Sequence, residues 1–350
     1  MILENTNLAT VPDLSNQLHE VLSLKHNYLC VVPEDFLPRG LKKLFLDYNY
    51  IRSDGLPIVF PDSIEELSLD YNILLDTRDV AHFPGNLKKL SICHNPLTTF
   101  VNLCIDSLEE LTVEKTQLDT ISLLPRCLQV LRAQCNYLTM LPNRFPTHIQ
   151  VIHLDHNCLR YAGLPSYWGT ALKELHLSHN KIDRFPRNLP PTLEVLNLSE
   201  NRITEIPASL QALPNLQVLS LAENKIRRVH IEIRRRPIAF VNLSNNELTV
   251  SLDELNREIE SRWANVVLEE KNWTTRAHQK AASCIQKNWR VSRIQVRIRT
   301  WKRTKVVKEE LFCVSMMPER VWQTDTISNE WKRDYREYPH PHKPPEGLNA

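Results

Sequence analysis

The sequence predicts a solenoid: a parallel β-sheet horseshoe coiled from about twelve short repeats, irregular and extended on its convex side, with an α-helical extension at its C-terminal end. Three observations predict it. One eleven-residue pattern recurs through residues 1–250 in steps of 20 to 23. Prolines fall at fixed places between the copies. Beyond residue 250 the apolar spacing turns helical and the charge turns basic.

The pattern is L-x-x-L-x-L-x-x-N-x-L. It reads LKKLFLDYNYI from Leu41, IEELSLDYNIL from Ile64, LKELHLSHNKI from Leu172 and LQVLSLAENKI from Leu216. Its asparagine is Asn27, Asn49, Asn72, Asn95, Asn136, Asn157, Asn180, Asn201, Asn224 and Asn246, with Thr6 and Thr116 standing in for it in two weaker copies. Alternating leucines define a short strand with one face inward. A single copy cannot bury that face, but stacked neighbours share a core, so the strands line up in parallel. The asparagines then turn inward as a structural ladder, their amides serving backbone groups left unpaired where the chain leaves the strand.

Each strand is preceded by P-x-x-L, at Pro38, Pro61, Pro84, Pro125, Pro146 and Pro190, and a second proline follows the Asn position by six residues at Pro12, Pro33, Pro142, Pro186 and Pro207. Proline in nearly every return segment disfavours α-helix there and favours extended turns. An end cap is expected at residues 251–270: Ser251 and Glu254 have capping-box spacing, and Leu252, Leu255, Ile259, Trp263, Val266 and Val267 follow at helical intervals.

On these residues, segment 1–250 resembles the leucine-rich-repeat family, and its short proline-marked copies are similar to those of bacterial effectors and of repeat proteins from amoebae and their viruses. The resemblance implies that residues between and just after the strand leucines form a ligand-binding concave face. Large groups gather there in the first nine repeats. Phe45, Tyr48, Tyr71, Arg132, His153 and His176 are the candidate contact residues, being mostly of the aromatic and arginine types that dominate interface energetics. Single exposed side chains on a solvated sheet are the plainer reading of the same residues. His153, Asp155 and His176 fall in neighbouring columns, but no known ligand spacing is present, so a neutral histidine ladder is expected rather than a metal.

Six glycines in 350 residues argue against glycine-rich phosphate loops, and no nucleophile elbow accompanies the serines and histidines. No catalytic residue and no cofactor are therefore expected. The eight cysteines form no C-x-x-C pair and read as thiols of a reducing, intracellular, cytoplasmic setting. No leader-like segment opens the sequence, and no apolar stretch is long enough to span a membrane.

Residues 271–308 carry twelve Lys and Arg and no Asp or Glu, whereas the rest of the chain has 31 basic against 41 acidic side chains, a net charge of −10. Within this basic helix, AASCIQKNWRVSRIQVRI (281–298) resembles an IQ motif through Ala281, Ala282, Ile285, Gln286, Arg290 and Ile298, with Val291 in place of the usual glycine and Gln295 in place of the second basic residue. The resemblance implies recruitment of calmodulin or a related protein. Helical spacing puts Ile285, Trp289 and Val296 on one face and Val291, Ile294, Ile298 and Trp301 on roughly the opposite one, with arginines between. Two apolar stripes with basic edges suit an acidic partner that wraps around. Such a helix also suits nucleic acid or an anionic membrane. Residues 309–350 form a tail, disordered from about Tyr338.

The expected function is a non-enzymatic intracellular adaptor, its concave face binding a protein and its C-terminal helix a calmodulin-like partner. The alternative is a scaffold docked by its basic helix on nucleic acid or membrane. An effector-type ubiquitin ligase would need a large catalytic domain where only about 100 residues follow the repeats.

Overall fold

The computed structural model describes residues 1–75, 83–98, 105–227, 238–248 and 266–267. Twelve strands form one sheet in strict chain order. They are Val21–Ser23 (β1), Lys43–Phe45 (β2), Glu66–Ser68 (β3), Lys89–Ser91 (β4), Glu110–Thr112 (β5), Val130–Arg132 (β6), Val151–His153 (β7), Glu174–His176 (β8), Val195–Asn197 (β9), Val218–Ser220 (β10), Phe240–Asn242 (β11) and Val266–Val267 (β12). Every neighbouring pair is parallel, with equivalent positions of the pattern side by side, such as Leu44 beside Leu67. Ile2 bridges to Ser23 and starts the coil one rung earlier.

The core follows the leucine alternation. Leu44, Leu46, Leu175, Leu177, Leu219 and Leu221 are among the fully buried residues of one continuous apolar column. A second column runs along the far side of the coil, where Phe145 stacks on Trp168 at 5.8 Å between ring centroids and the indole N–H donates to Arg187 O at 3.1 Å.

The proline code has a specific geometry. In each P-x-x-L the proline carbonyl accepts the N–H of the leucine-position residue three on, for example Pro38 O from Leu41 at 3.1 Å and Pro190 O from Leu193 at 3.1 Å. The motif is thus a hydrogen-bonded turn that delivers the first apolar residue into the core. Among the described residues the convex side has only short 3-10 turns, at Glu34–Phe36, Ser53–Gly55, Tyr161–Gly163 and Ala208–Ala212. Gly55 and Gly163 sit where the coils nearly touch. A Cβ there would lie 2.1 Å from Cys30 O and 2.2 Å from Thr139 O, so only glycine lets the backbones approach.

The asparagines weld one coil to the next. Asn157 donates from Nδ2 to Ala133 O and Leu154 O, both at 3.0 Å, and accepts the Leu138 N–H at 3.0 Å. The same set recurs at Asn49, Asn180, Asn201 and Asn224. The residue before each ladder position is left-handed in eleven successive copies, from His26 to Asn245, with φ between 49° and 57°. Such a conformation costs a non-glycine residue roughly 1–2 kcal/mol. It is held because its N–H still reaches the next coil, as Tyr48 does to Asp70 O at 2.9 Å.

One expectation is corrected at the C-terminal end. Val266 and Val267 form a strand that pairs with Val241 and Asn242 of β11, where the sequence suggested the end of a capping helix. Two β-branched residues favour extended backbone, and the edge of β11 offers them unpaired hydrogen-bonding groups. The rest of the expected cap, the basic helix with Ile285, Gln286, Trp289, Arg290, Val296 and Ile298, and the tail lie outside the described residues.

Candidate functional site

Because each strand sends its middle residue into the core, its first and third residues face the concave side. Three columns cross that face: the two strand columns and the left-handed residues at the rim.

The rim column holds a stack of four rings. His26, Tyr48, Tyr71 and His94 lie face to face with centroids 4.2, 4.2 and 3.9 Å apart and planes within 13°. Parallel strands about 4.8 Å apart impose this spacing once aromatic residues occupy the same position in successive repeats. Beside the stack Phe45 is half-buried, with Lys25 Nζ 4.7 Å from its ring centroid and 2.6 Å from Asp47 Oδ2. Burial first, and then the neighbouring Tyr48, pushes the Tyr71 phenol well above its ordinary value. Burial, with Lys115 adding to it, lowers His94 to about 3. Tyr71 and His94 are therefore uncharged near neutral pH.

Beneath it, carboxylates bind the following coil. Asp70 accepts Ser91 Oγ at 2.7 Å and the Cys93 N–H at 2.6 Å, and burial pushes its carboxyl up to about 6. Asp47 accepts the Ser68 hydroxyl and the Asp70 N–H in the same manner. Asp155 does so with the Ser178 N–H at 2.9 Å and its hydroxyl at 2.6 Å.

The six candidate contact residues thus fall into two groups. Phe45, Tyr48 and Tyr71 come together at β2 and β3. Arg132, His153 and His176 come together on β6, β7 and β8, three strand steps or about 14 Å away. Arg132 is anchored to Glu110 at 2.5 Å, and His176 is 8% exposed, so the second group offers less surface than the first. Toward the end of the sheet Asn197, Ser220 and Asn242 are buried, leaving Glu200, Glu223 and Asn245 as the displayed polar groups.

The first strand column was missed in the sequence. It carries an ion-pair ladder, Lys43–Glu66 at 2.6 Å and Lys89–Glu110 at 2.9 Å, and then turns apolar at Val130, Val151, Val195, Val218 and Phe240, interrupted by Glu174. Charge alternation at the repeat interval was the available signal. A further correction concerns the histidines: Asp155 is committed to Ser178, and the carboxylate that meets His153 and His176 is Glu174, of the same missed column.

Comparison with known proteins agrees with this architecture. Residues 170–226 match the leucine-rich repeat family model. The chain is 33% identical over 212 residues to human Podocan-like protein 1, covering 58% of this chain and 34% of that protein, so it spans about a third of the relative's length. A leucine-rich-repeat protein of Leptospira interrogans superposes with a TM-score of 0.55 at 22% identity, over 80% of this chain and 81% of that one. A chain of the Toll–Spatzle complex of Drosophila does so with a TM-score of 0.53 at 22% identity, over 70% and 40%. These likenesses establish the fold. Among the described residues no helix is long and apolar enough to cross a membrane.

Proposed function

We propose that this leucine-rich-repeat chain is a non-enzymatic adaptor whose concave face binds a protein and whose basic C-terminal segment recruits a calmodulin-like partner. Leucine-rich-repeat proteins generally mediate protein–protein interaction, and the Drosophila chain of similar fold comes from a complex of Toll with Spatzle. The observation that carries the reading is the ring stack of His26, Tyr48, Tyr71 and His94 with Phe45 beside it. Rings already fixed by one another lose little conformational freedom on contact, which is what an interface anchor needs. The eight cysteines, with no C-x-x-C pair among them, support the reading of an intracellular setting.

The second arm of the reading rests on residues 271–308, whose twelve basic side chains and no acidic one suit an acidic partner. The test titrates the full chain with calmodulin by calorimetry. Binding at micromolar affinity or tighter, about −8 kcal/mol, and its loss in Ile285→Glu are expected. No heat with calmodulin, but steeply salt-dependent binding to anionic vesicles or to nucleic acid, would refute the calmodulin arm in favour of a scaffold docked through charge alone.

A further inference from the structure

We infer that His153, Glu174 and His176 form a binding site for a divalent first-row transition ion, Zn²⁺ foremost. The inference stands apart from the adaptor reading, because it rests on donor geometry and not on any partner.

Register brings the three together. His153 of β7 pairs directly with His176 of β8, and Glu174 precedes His176 by two residues, so its side chain leaves the same face. One donor atom from each residue lies within 4.8 Å of the other two. The ring geometry also departs from the rest of the solenoid. His156 and His179 lie nearly parallel, at 17° and 3.9 Å, as the four rim rings do. His153 and His176 are tilted by 47° at 4.4 Å, an arrangement that gives up stacking. The Nε2 atoms of both rings are buried without a hydrogen-bond partner among the described residues. Buried polar atoms are rarely left so, and such a pair beside a carboxylate calls for a shared ligand.

The donor chemistry selects the ion. Two imidazoles and one carboxylate are a recurrent zinc ligand set with a fourth position open to water, whereas Mg²⁺ and Ca²⁺ prefer oxygen alone. The Gln134 side-chain amide lies 3.3 Å from His153 Nδ1; with its oxygen turned to that nitrogen it accepts the Nδ1–H and leaves the Nε2 lone pair for the ion. The opposing charge is Arg132, which is engaged by Glu110 at 2.5 Å. Around a tetrahedral ion with bonds near 2.1 Å the donors lie about 3.4 Å apart, so binding draws the three side chains inward by about 1 Å.

The test strips the full chain with chelator and titrates it with Co²⁺ alone, followed by Zn²⁺. A four-coordinate Co²⁺ absorbs visible light far more strongly than the hydrated ion. The expected result is one such equivalent, displaced by Zn²⁺, and weakened at least about tenfold in Glu174→Gln and in His176→Gln while His156→Gln retains it. Wild-type absorption surviving in both site variants, or no such band in the wild type, would overturn the site. Should the variants fold poorly, imidazole nitrogen resonances of the wild-type chain decide. Zn²⁺ must shift those of His153 and His176, and shifts confined to other histidines would refute the inference.

Discussion

Asn157→Ala is a direct test of what holds the coils together. The change removes three principal hydrogen bonds, but their loss is unequal. Ala133 O keeps a second donor, Asn136 Nδ2 at 3.2 Å, and Leu154 O keeps Asn180 Nδ2 at 3.0 Å. Among the described residues the Leu138 N–H donates to Asn157 Oδ1 alone, at 3.0 Å. One buried donor is therefore left without a partner, which costs about 1–3 kcal/mol, and two carbonyls are reduced to single occupancy. Asn157→Asp is expected to cost more than alanine near neutral pH. It would keep the acceptor for Leu138 but set a carboxylate oxygen against two carbonyls at 3.0 Å. Urea unfolding gives the stability order, and amide hydrogen exchange gives the location, since Leu138 should lose protection before its neighbours. Equal midpoints for wild type and Asn157→Ala, with Leu138 still protected, would refute the ladder as the source of coil-to-coil cohesion.

Asp70 makes the fold pH-sensitive. Its folded pKa of about 6 stands above the ordinary carboxylate value of 3.8, so the stability it permits is complete below pH 4 and is lost as pH rises through 6. The loss amounts to about 3 kcal/mol, and denaturant titrations of Asp70→Asn at pH 4 and pH 7 should lack that part of the slope. Gly163→Ala should destabilise by more than about 1 kcal/mol because its Cβ would meet the Thr139 carbonyl, whereas Gly40→Ala, with nothing within 4 Å, should be neutral or stabilising by about 0.4–1 kcal/mol; paired thermal melts separate them. Tyr48→Ala combined with Tyr71→Ala should weaken any concave-face partner by more than about 1 kcal/mol while far-UV circular dichroism stays unchanged. Undiminished affinity would place recognition away from the ring stack.

The solenoid was legible because its cause is local and repeated. Leucine alternation and the inward asparagine are written into every copy, and the return-segment prolines say what cannot form there. The site was legible only by column. Reading the positions between and just after the leucines found Phe45, Tyr48 and Tyr71, yet it passed over Lys43, Glu66, Glu110 and Glu174, two residues earlier in the strand. The burial of His176 and the commitment of Asp155 to Ser178 depend on which side chain the next coil presents, and that lies some 23 residues away in sequence. The left-handed rim column was equally hidden, because Tyr, Lys, Cys and Glu do not advertise a positive φ. At Val266–Val267 helical spacing and strand preference coincide, and the open edge of β11 decided between them.

The substitution of threonine for asparagine at position 116 reaches beyond its own coil. Its hydroxyl bonds to Val113 O at 3.4 Å and to Asn136 Oδ1 at 2.5 Å, within its own coil and forward to the next. Among the described residues no side-chain tie comparable to the Asn136 amide on Val113 O runs back from Thr116 to the coil of Asn95. A solenoid behaves as a one-dimensional array in which each unit is coupled to its nearest neighbours alone, so one weak coupling suffices to separate the transitions on either side. The boundary between β4 and β5 lacks that one tie, although the Lys89–Glu110 ion pair and the Ser107 hydroxyl on Leu87 O still cross it. If the array melts in two steps, the N-terminal block that carries the aromatic ridge and the C-terminal block that carries the histidines are expected to part there.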